Sequence, residues 1–144
     1  MTNEHHLQVE LALELRYKHG FGSLSPFLRL LGQGRALASR CNACGDVRFP
    51  PRRVCLHDST DTAPHELSGS GCLVRATTGE VAIPLTEPAQ ILTFGEIAMD
   101  GADNRVLARL RGDPAQIRPG ARVRLAPPEG QVSHPIQALV FEPI

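Results

Sequence analysis

Two cysteines three positions apart, followed at a distance by a third, are the feature that most constrains this chain. Cys41 and Cys44 precede Gly45, and Cys55 follows ten residues later, three positions before Asp58. In a zinc ribbon, two knuckles each supply ligands at positions i and i+3, and a structural zinc takes four ligands in a tetrahedron. The spacing therefore predicts a zinc-ribbon module. A bound metal suits a module this small, because its own apolar core contributes little stability.

The fourth ligand of this predicted site is left open by the sequence. Asp58 occupies the position in register with the second knuckle, and a carboxylate oxygen is an accepted zinc ligand. His57 is the commoner ligand type but lies one residue early for knuckle geometry. A third possibility is a degenerate ribbon that has lost its metal and is held by packing alone. We favour a structural zinc, about one per chain, with four protein ligands: Cys41, Cys44, Cys55 and Asp58.

Length, charge and cysteine usage narrow the class of protein. The chain has 144 residues, which suits one ordinary domain or two very small ones. Lys and Arg together number 15, as do Asp and Glu, and a net charge of zero argues against a general nucleic-acid binder. No basic run leads into an apolar segment at the N-terminus, and no run of about 18 apolar residues occurs. With a Cys-x-x-Cys pair among four cysteines, we expect a cytoplasmic protein without membrane association.

The N-terminal quarter combines a strand pattern with a helix start. Apolar residues alternate with mostly polar ones over residues 7–17. This period of two predicts a half-buried strand, although Leu, Glu and Ala favour helices. Further on, Ser25 as N-cap and a proline after it predict a short helix over residues 26–31, which Gly32 and Gly34 end.

The remainder of the chain has the pattern of a β protein. Five strand-like runs are separated by clusters of Gly, Asp, Asn and Pro, and they span residues 71–78, 90–98, 105–111, 121–126 and 136–142. Five short strands with turn signals between them suit a small barrel such as the OB fold. We therefore predict a mainly β chain in four parts: an N-terminal strand and helix segment over 1–34, a rubredoxin-like zinc ribbon over 35–58, a linker over 59–67 that contains Pro64, and a five-stranded OB-type β-barrel over 68–144.

Other reactive side chains have weaker signals. Cys72 could be proposed as an acyl-transfer nucleophile, but no histidine is placed by sequence to activate it. We interpret it as a small buried side chain in the first barrel strand. The six histidines are scattered, and none is assigned a catalytic role. We therefore predict no catalytic residues and expect no activity from the chain alone.

Arginine dominates the basic residues, since only Lys18 is a lysine. The strand pattern predicts five arginines on the outer face of the barrel, namely Arg105, Arg109, Arg111, Arg122 and Arg124. A second set surrounds the knuckle, namely Arg40, Arg48, Arg52 and Arg53. Either set could contact phosphates or an acidic partner, although a solvated face with ordinary salt bridges is the default. Only Phe94 and Phe141 are aromatic in the predicted barrel strands, which disfavours base stacking.

Several motifs follow one another in an order typical of one family. They are Phe27-Leu28-Arg29-Leu30-Leu31, Gly34-Arg35-Ala36-Leu37, Arg40-Cys41-Asn42-Ala43-Cys44-Gly45, Phe49-Pro50-Pro51-Arg52 with Cys55, Ser68-Gly69-Ser70-Gly71, and Arg118-Pro119-Gly120-Ala121-Arg122-Val123. In this combination, residues 7–142 resemble the rubredoxin-like zinc-ribbon proteins fused to an acyl-CoA-associated OB fold. The family's zinc pattern has a cysteine where this chain has Asp58, which fills the fourth slot by position only.

The resemblance implies a function that periodicity and spacing do not. Members of the family typically lack their own active site and assemble with thiolases or with thiolase-fold acyltransferases and aldolases. They shape the complex and help to hold the CoA-linked substrate. Subgroups serve acetoacetyl-CoA chemistry, steroid side-chain degradation, phloroglucinol acylation and the thiolysis of benzoylsuccinyl-CoA.

The expected function follows from this resemblance. We expect a non-catalytic accessory subunit with a thiolase-fold enzyme as partner, an acyl-CoA substrate contacted in the complex, and structural Zn²⁺. A catabolic thiolase is favoured because the alternating N-terminal segment resembles that of thiolase-partnered members. No particular arginine is assigned to CoA. The alternative is a free-standing OB-fold module that binds nucleic acid or another small ligand.

Overall fold

One α-helix and eight strands form the main regular structure of the residues that the structure describes. The structure is a computed structural model and describes residues 9–82, 88–132 and 134–144. Within these ranges the elements are α1 (Ser25–Leu31), β1 (Ala36–Cys41), β2 (Val47–Arg48), β3 (Thr62–Leu67), β4 (Ser70–Val81), β5 (Gln90–Met99), β6 (Arg105–Leu110), β7 (Arg122–Ala126) and β8 (Val140–Pro143), with 3₁₀ turns at Gly22–Leu24 and Pro135–Ala138. The predicted mainly β class is confirmed. No helix in the described ranges has the length and apolar character needed to cross a membrane.

The helix forms where the sequence predicted it, with one difference at its start. Ser25 is the first helical residue rather than the N-cap, and no side chain caps the helix. Phe27, Leu28 and Leu31 lie on one face and are buried, as their spacing of three and four residues requires. The chain leaves the helix through Gly34, whose φ of +71° is a conformation that glycine adopts without strain.

The predicted N-terminal strand is wrong for the residues that the structure describes. Residues 9–17, here called the N-terminal arm, have no regular secondary structure. Val9, Leu11, Leu13, Leu15 and Tyr17 have exposed fractions between 72% and 82%. A period of two shows that a segment could be a strand, but a strand also needs a neighbouring strand to bond with. None of the described strands pairs with the arm, and residues 7 and 8 lie outside the described ranges.

A three-stranded antiparallel sheet in the order β2-β1-β3 forms the ribbon. The third strand lies in residues 59–67, so the prediction of a linker there is wrong. Its pairing with β1 runs from Ala36 opposite Leu67 to Cys41 opposite Thr62. Pro64 suggested a linker because proline cannot donate a backbone hydrogen bond, but β3 is an edge strand, where this is tolerated.

The remaining strands close into a five-stranded barrel in the order β4-β5-β6-β8-β7, which confirms the predicted barrel. All described pairings are antiparallel except that between β6 and β8. This closed barrel with one parallel pair is OB-like. The last strand begins at Val140 rather than at residue 136, because the 3₁₀ turn precedes it. The barrel is tightly packed at Gly95, where a Cβ atom would lie 2.6 Å from two leucine side chains.

The ribbon and the barrel share a continuous apolar core. Phe49 is completely buried and packs edge-on against Phe27, with ring centroids 5.7 Å apart. The turn between β5 and β6 bonds to the ribbon backbone. Asp103 accepts from the Val47 amide at 2.8 Å, and Asn104 accepts from the Phe49 amide at 3.0 Å and donates to the Phe49 carbonyl at 2.8 Å.

A second connection between ribbon and barrel is covalent. β3 ends at Leu67 and β4 begins at Ser70, so only two residues separate a ribbon strand from a barrel strand. Of these, Gly69 has a φ of +82°, and its carbonyl accepts from the Leu125 amide of β7 at 2.8 Å. The short link is therefore itself bonded to the barrel.

Candidate metal centre

The four predicted metal ligands come together at one end of the ribbon. The ligand atoms of Cys41, Cys44, Cys55 and Asp58 all lie within 4.8 Å of one another. Cys44 Sγ is 3.6 Å from Cys55 Sγ, and Cys41 Sγ is 3.5 Å from an oxygen of Asp58. Tetrahedral zinc, with Zn–S of about 2.3 Å and Zn–O of about 2.0 Å, implies separations of about 3.8 Å and about 3.5 Å. The residues therefore fit a four-coordinate zinc.

The two ligand pairs sit on equivalent turns. In the first turn the amide of Gly45 donates to the Cys41 carbonyl at 3.1 Å, and in the second the amide of Ser59 donates to the Cys55 carbonyl at 3.2 Å. Both donor residues have positive φ, +78° at Gly45 and +60° at Ser59. Asp58 thus occupies the place in the second turn that Cys44 has in the first. This equivalence favours Asp58 over its neighbour as the fourth ligand.

Backbone amides stabilise negative charge on the ligand atoms. The amides of Cys44 and Ala43 point at Cys41 Sγ at 3.5 Å and 3.4 Å, and they lower the pKa of the Cys41 thiol. The Thr60 amide donates to Asp58 at 2.9 Å and lowers the pKa of that carboxyl to about 2. Asp58 is therefore ionised at neutral pH and available as an anionic ligand.

The close approach of the sulfurs raises the pKa of the Cys44 thiol, in contrast to that of Cys41. Although the Asp46 amide opposes the shift, the neighbouring Cys41 sulfur and burial raise the pKa of the Cys44 thiol to about 11. Negative charges this close repel one another unless a cation lies between them. Binding of a divalent metal would offset that repulsion and release the thiol protons. The donor set therefore matches a metal better than it matches four free side chains.

His57, the alternative ligand, lies outside this group. Its side chain is 61% exposed, and its Nε2 atom lies 3.7 Å from an Asp46 oxygen and 3.3 Å from a guanidinium nitrogen of Arg48. Arg48 in turn donates to Asp46 at 2.6 Å. The ring is thus engaged beside the metal centre rather than in it.

Most of the arginines predicted to face outward do so and are paired. Among the described residues, this set forms the ion pairs Arg105–Glu96, Arg111–Glu142, Arg111–Glu129, Arg122–Asp100 and Arg124–Glu142. The guanidiniums of Arg111 and Arg124 lower the pKa of Glu142, which they flank. Arg109 has no ion pair with any described residue. In the second set Arg48 is paired, whereas Arg40, Arg52 and Arg53 form no ion pair within the described ranges.

Arg109 borders a groove on the barrel. The groove has a volume of about 650 Å³ and is lined by β5, β6 and the segment before β8, including Leu92, Phe94, Leu107, Arg109 and Ile136. We call it the barrel groove. In OB folds, the second and third strands with the loop before the last strand are a common ligand-binding face. Phe94 lines this face, but Phe141 is completely buried and so is unavailable for base stacking.

Cys72 lies in the first barrel strand, as predicted, but it is half-buried rather than buried. Its Sγ atom lies 3.9 Å from the Leu73 carbonyl oxygen. Its register partner in β7 is Arg122. A nucleophile requires an adjacent base, and in the described structure the sulfur contacts a backbone carbonyl instead.

Comparison with known proteins identifies the ribbon. Residues 29–62 match the ChsH2 rubredoxin-like zinc ribbon domain. These residues are thus similar to ChsH2-type zinc ribbons. The match includes all four candidate ligands and ends at the first residue of β3. A search of curated proteins found no match to the chain.

Two solved structures have a similar fold over most of the chain. The Ltp2-ChsH2(DUF35) aldolase has a similar fold, with a TM-score of 0.63 and 22% identity, over 88% of this chain and 98% of that chain. A DUF35-family protein of unknown function from Sulfolobus solfataricus is similar with a TM-score of 0.60 and 17% identity, over 89% of this chain and 90% of that chain. The resemblance predicted from sequence is thus confirmed for the ribbon domain and for the fold.

Proposed function

We propose that this chain is a non-catalytic accessory subunit of a thiolase-like acyl-CoA enzyme complex. The observation that carries the proposal is a fold shared over 88% of its length with a chain of the Ltp2-ChsH2(DUF35) aldolase. That aldolase combines ChsH2(DUF35) with Ltp2. By analogy, this chain joins a thiolase-fold enzyme in the cytoplasm, and we favour a catabolic thiolase such as benzoylsuccinyl-CoA thiolase over a related acyltransferase or aldolase.

The metal centre has a structural role in this proposal. Cys41, Cys44, Cys55 and Asp58 would hold one Zn²⁺, and a zinc with four protein ligands has no open position for a substrate or a reactive water. When bound, zinc would supply stability to the ribbon rather than chemistry. The ribbon's own residues orient the sulfurs through backbone amides and connect the centre to the barrel core.

The barrel groove is the surface we propose to border the CoA thioester. Its lining includes the apolar side chains of Leu92 and Leu107 and the guanidinium of Arg109, which forms no ion pair with a described residue. An acyl-CoA combines an apolar acyl and pantetheine portion with phosphate groups, and arginine is the preferred bidentate donor to phosphate. The chain would thus shape one wall of a site whose reacting groups belong to the enzyme subunit.

The test is to isolate the tagged chain from its native host and to identify a thiolase-fold enzyme that co-purifies in a fixed ratio. Acyl-CoA thiolysis by that enzyme is then measured with and without this chain. We expect activity only when both are present and none from this chain alone. Activity of the enzyme that is independent of the chain would refute the accessory role. Recovery of the chain alone with single-stranded nucleic acid, bound with steep salt dependence, would favour the alternative module.

A matched pair of variants tests the groove. Arg109→Ala should raise the KM for acyl-CoA about tenfold, because one charge-assisted hydrogen bond is lost. Arg105→Ala is the control, since it lies on the same strand but pairs with Glu96. Equal effects of the two substitutions on KM would mean that the groove does not contact the substrate.

A further inference from the structure

The N-terminal arm has the pattern of a strand but pairs with none of the described strands. In an extended segment, alternate side chains lie on opposite faces. One face of the arm would then carry only apolar residues, namely Val9, Leu11, Leu13, Leu15 and Tyr17. The other face would carry Glu10, Ala12, Glu14 and Arg16. All nine residues are exposed, and no backbone hydrogen bond joins the arm to another described residue. The arm therefore presents both its backbone and an apolar face.

The two edges of the ribbon sheet, β2 and β3, are poor templates for the arm. β2 is only two residues long, and β3 carries Pro64, which cannot donate a backbone hydrogen bond. Among the described residues, the arm's one ion pair joins Arg16 to Glu14. Arg16 donates to Glu14 at 2.6 Å, with both side chains more than 70% exposed, so this contact is weak and leaves Arg16 accessible.

The sequence of the arm is complementary to itself in one antiparallel register. If two copies pair with Leu13 opposite Leu13, Glu10 of each copy lies opposite Arg16 of the other. Ala12 then lies opposite Glu14, so no like charges meet. The apolar residues fall opposite one another on the second face, which is the arrangement that stabilises antiparallel pairs.

Neighbouring registers lack this complementarity. Shifting the centre to Ala12 places Glu10 opposite Glu14, and shifting it to Glu14 places that residue opposite itself. A parallel pair in register would oppose each charge to its own copy, at Glu10, Glu14 and Arg16. Like charges directly opposite are destabilising, so the arm specifies the antiparallel register centred on Leu13.

We propose that the arms of two copies of this chain pair as an antiparallel two-stranded ribbon centred on Leu13. The resulting interface has two-fold symmetry and contains the Glu10–Arg16 pair twice. A two-stranded ribbon alone is only marginally stable, so the association is weak and depends on concentration. The inference does not rest on the proposed enzyme partner, because it concerns this chain by itself.

The experiment reverses one charge of the Glu10–Arg16 pair at a time and measures dimerisation. The mass of the full-length chain is measured by light scattering or sedimentation from micromolar to near-millimolar concentration, starting from a monomer of 15.6 kDa. Wild type should shift toward twice that mass. Glu10→Arg and Arg16→Glu should each weaken the dimer about thirtyfold, because two attractive pairs become repulsive. Glu14→Gln, which removes a charge from the same face opposite Ala12, is the control and should leave the dimer intact.

Mixing the two single variants gives the decisive result. In a mixed dimer, the Glu10→Arg arm carries two positive charges and the Arg16→Glu arm carries two negative charges at the paired positions, so the dimer should return. Unchanged circular dichroism of each variant confirms that folding is not the cause of any loss. A wild type that stays monomeric would overturn the proposal and favour a strand of the enzyme subunit as the arm's partner. A dimer that persists in both single variants would place the interface elsewhere in the chain.

Discussion

Replacing Asn104 should loosen the junction between the ribbon and the barrel. Its side chain is the partner of both the amide and the carbonyl of Phe49, at 3.0 Å and 2.8 Å. Phe49 is completely buried, so water does not readily replace these bonds. Asn104→Ala leaves two buried backbone groups without partners, and each such group costs about 1–3 kcal/mol.

The expected loss in the free energy of unfolding is about 3 kcal/mol, because the smaller side chain lets some water reach the groups. That is a large part of the 5–15 kcal/mol typical of a domain, and it corresponds to a fall in Tm of about 10 °C at this chain length. The assay is urea unfolding at a fixed free zinc concentration, with Tm measured in parallel. Asn104→Asp, which keeps the acceptor but loses the donor, should fall between wild type and Asn104→Ala.

Gln116→Ala provides the control, since Gln116 is exposed and no side-chain hydrogen bond to a described residue involves it. If Asn104→Ala were no less stable than Gln116→Ala, the side-chain bonds to Phe49 would not hold the two parts together. The reasoning about the junction would then be refuted, and the shared apolar core alone would account for it.

Three further outcomes test the centre, the surface and the core. Purified chain should contain about one zinc. Asp58→Ala should lose its zinc to a chelating dye faster than wild type does. A faster loss in His57→Ala instead would identify His57 as the ligand. Folding lowers the pKa of Glu142. Its ion pairs therefore stabilise the fold fully above the unfolded pKa of about 4.3, and this stabilisation is lost as the pH falls through the pKa of Glu142 in the folded chain. Glu142→Gln should therefore reduce Tm at neutral pH and flatten the fall in Tm between pH 7 and pH 3; an unchanged slope would contradict this. Gly95→Ala should destabilise by about 1–3 kcal/mol through overpacking, whereas Gly79→Ala, with no atom within 4 Å of the new Cβ, should not.

Features that depend on local spacing could be predicted from the sequence. The alternation of β6 placed Val106 and Leu110 inside and Arg109 outside, as the structure has them. The spacing of the cysteines predicted that the sulfurs of Cys41, Cys44 and Cys55 converge, because a knuckle fixes the distance between positions i and i+3. Asp58, which its position favoured over His57, lies with them. In both cases the information lies within a few residues.

Features that depend on a neighbour could not be predicted. The arm has a strand pattern but pairs with no strand in the described part of the chain. In contrast, β3 carries Pro64 and yet pairs with β1. The junction residues Asp103 and Asn104 lie in a turn, where Asp and Asn are common for local reasons. No spacing signal distinguishes a turn asparagine from one that bonds to a backbone more than fifty residues away. The equivalence of Gly45 and Ser59 was also missed, because a serine at positive φ has no sequence signature.

The two-residue link between β3 and β4 restricts how the ribbon can move relative to the barrel. The sulfur cluster belongs to the ribbon and the barrel groove to the barrel. Gly69 lies in the link between them, and its carbonyl accepts a hydrogen bond from the Leu125 amide. A protein that binds the ribbon would therefore also fix the orientation of the barrel groove. Lengthening the link between β3 and β4 by a few flexible residues would leave the ribbon and the barrel groove intact but would remove their relative alignment. Alignment, rather than either face alone, is then the property on which a bound enzyme would depend.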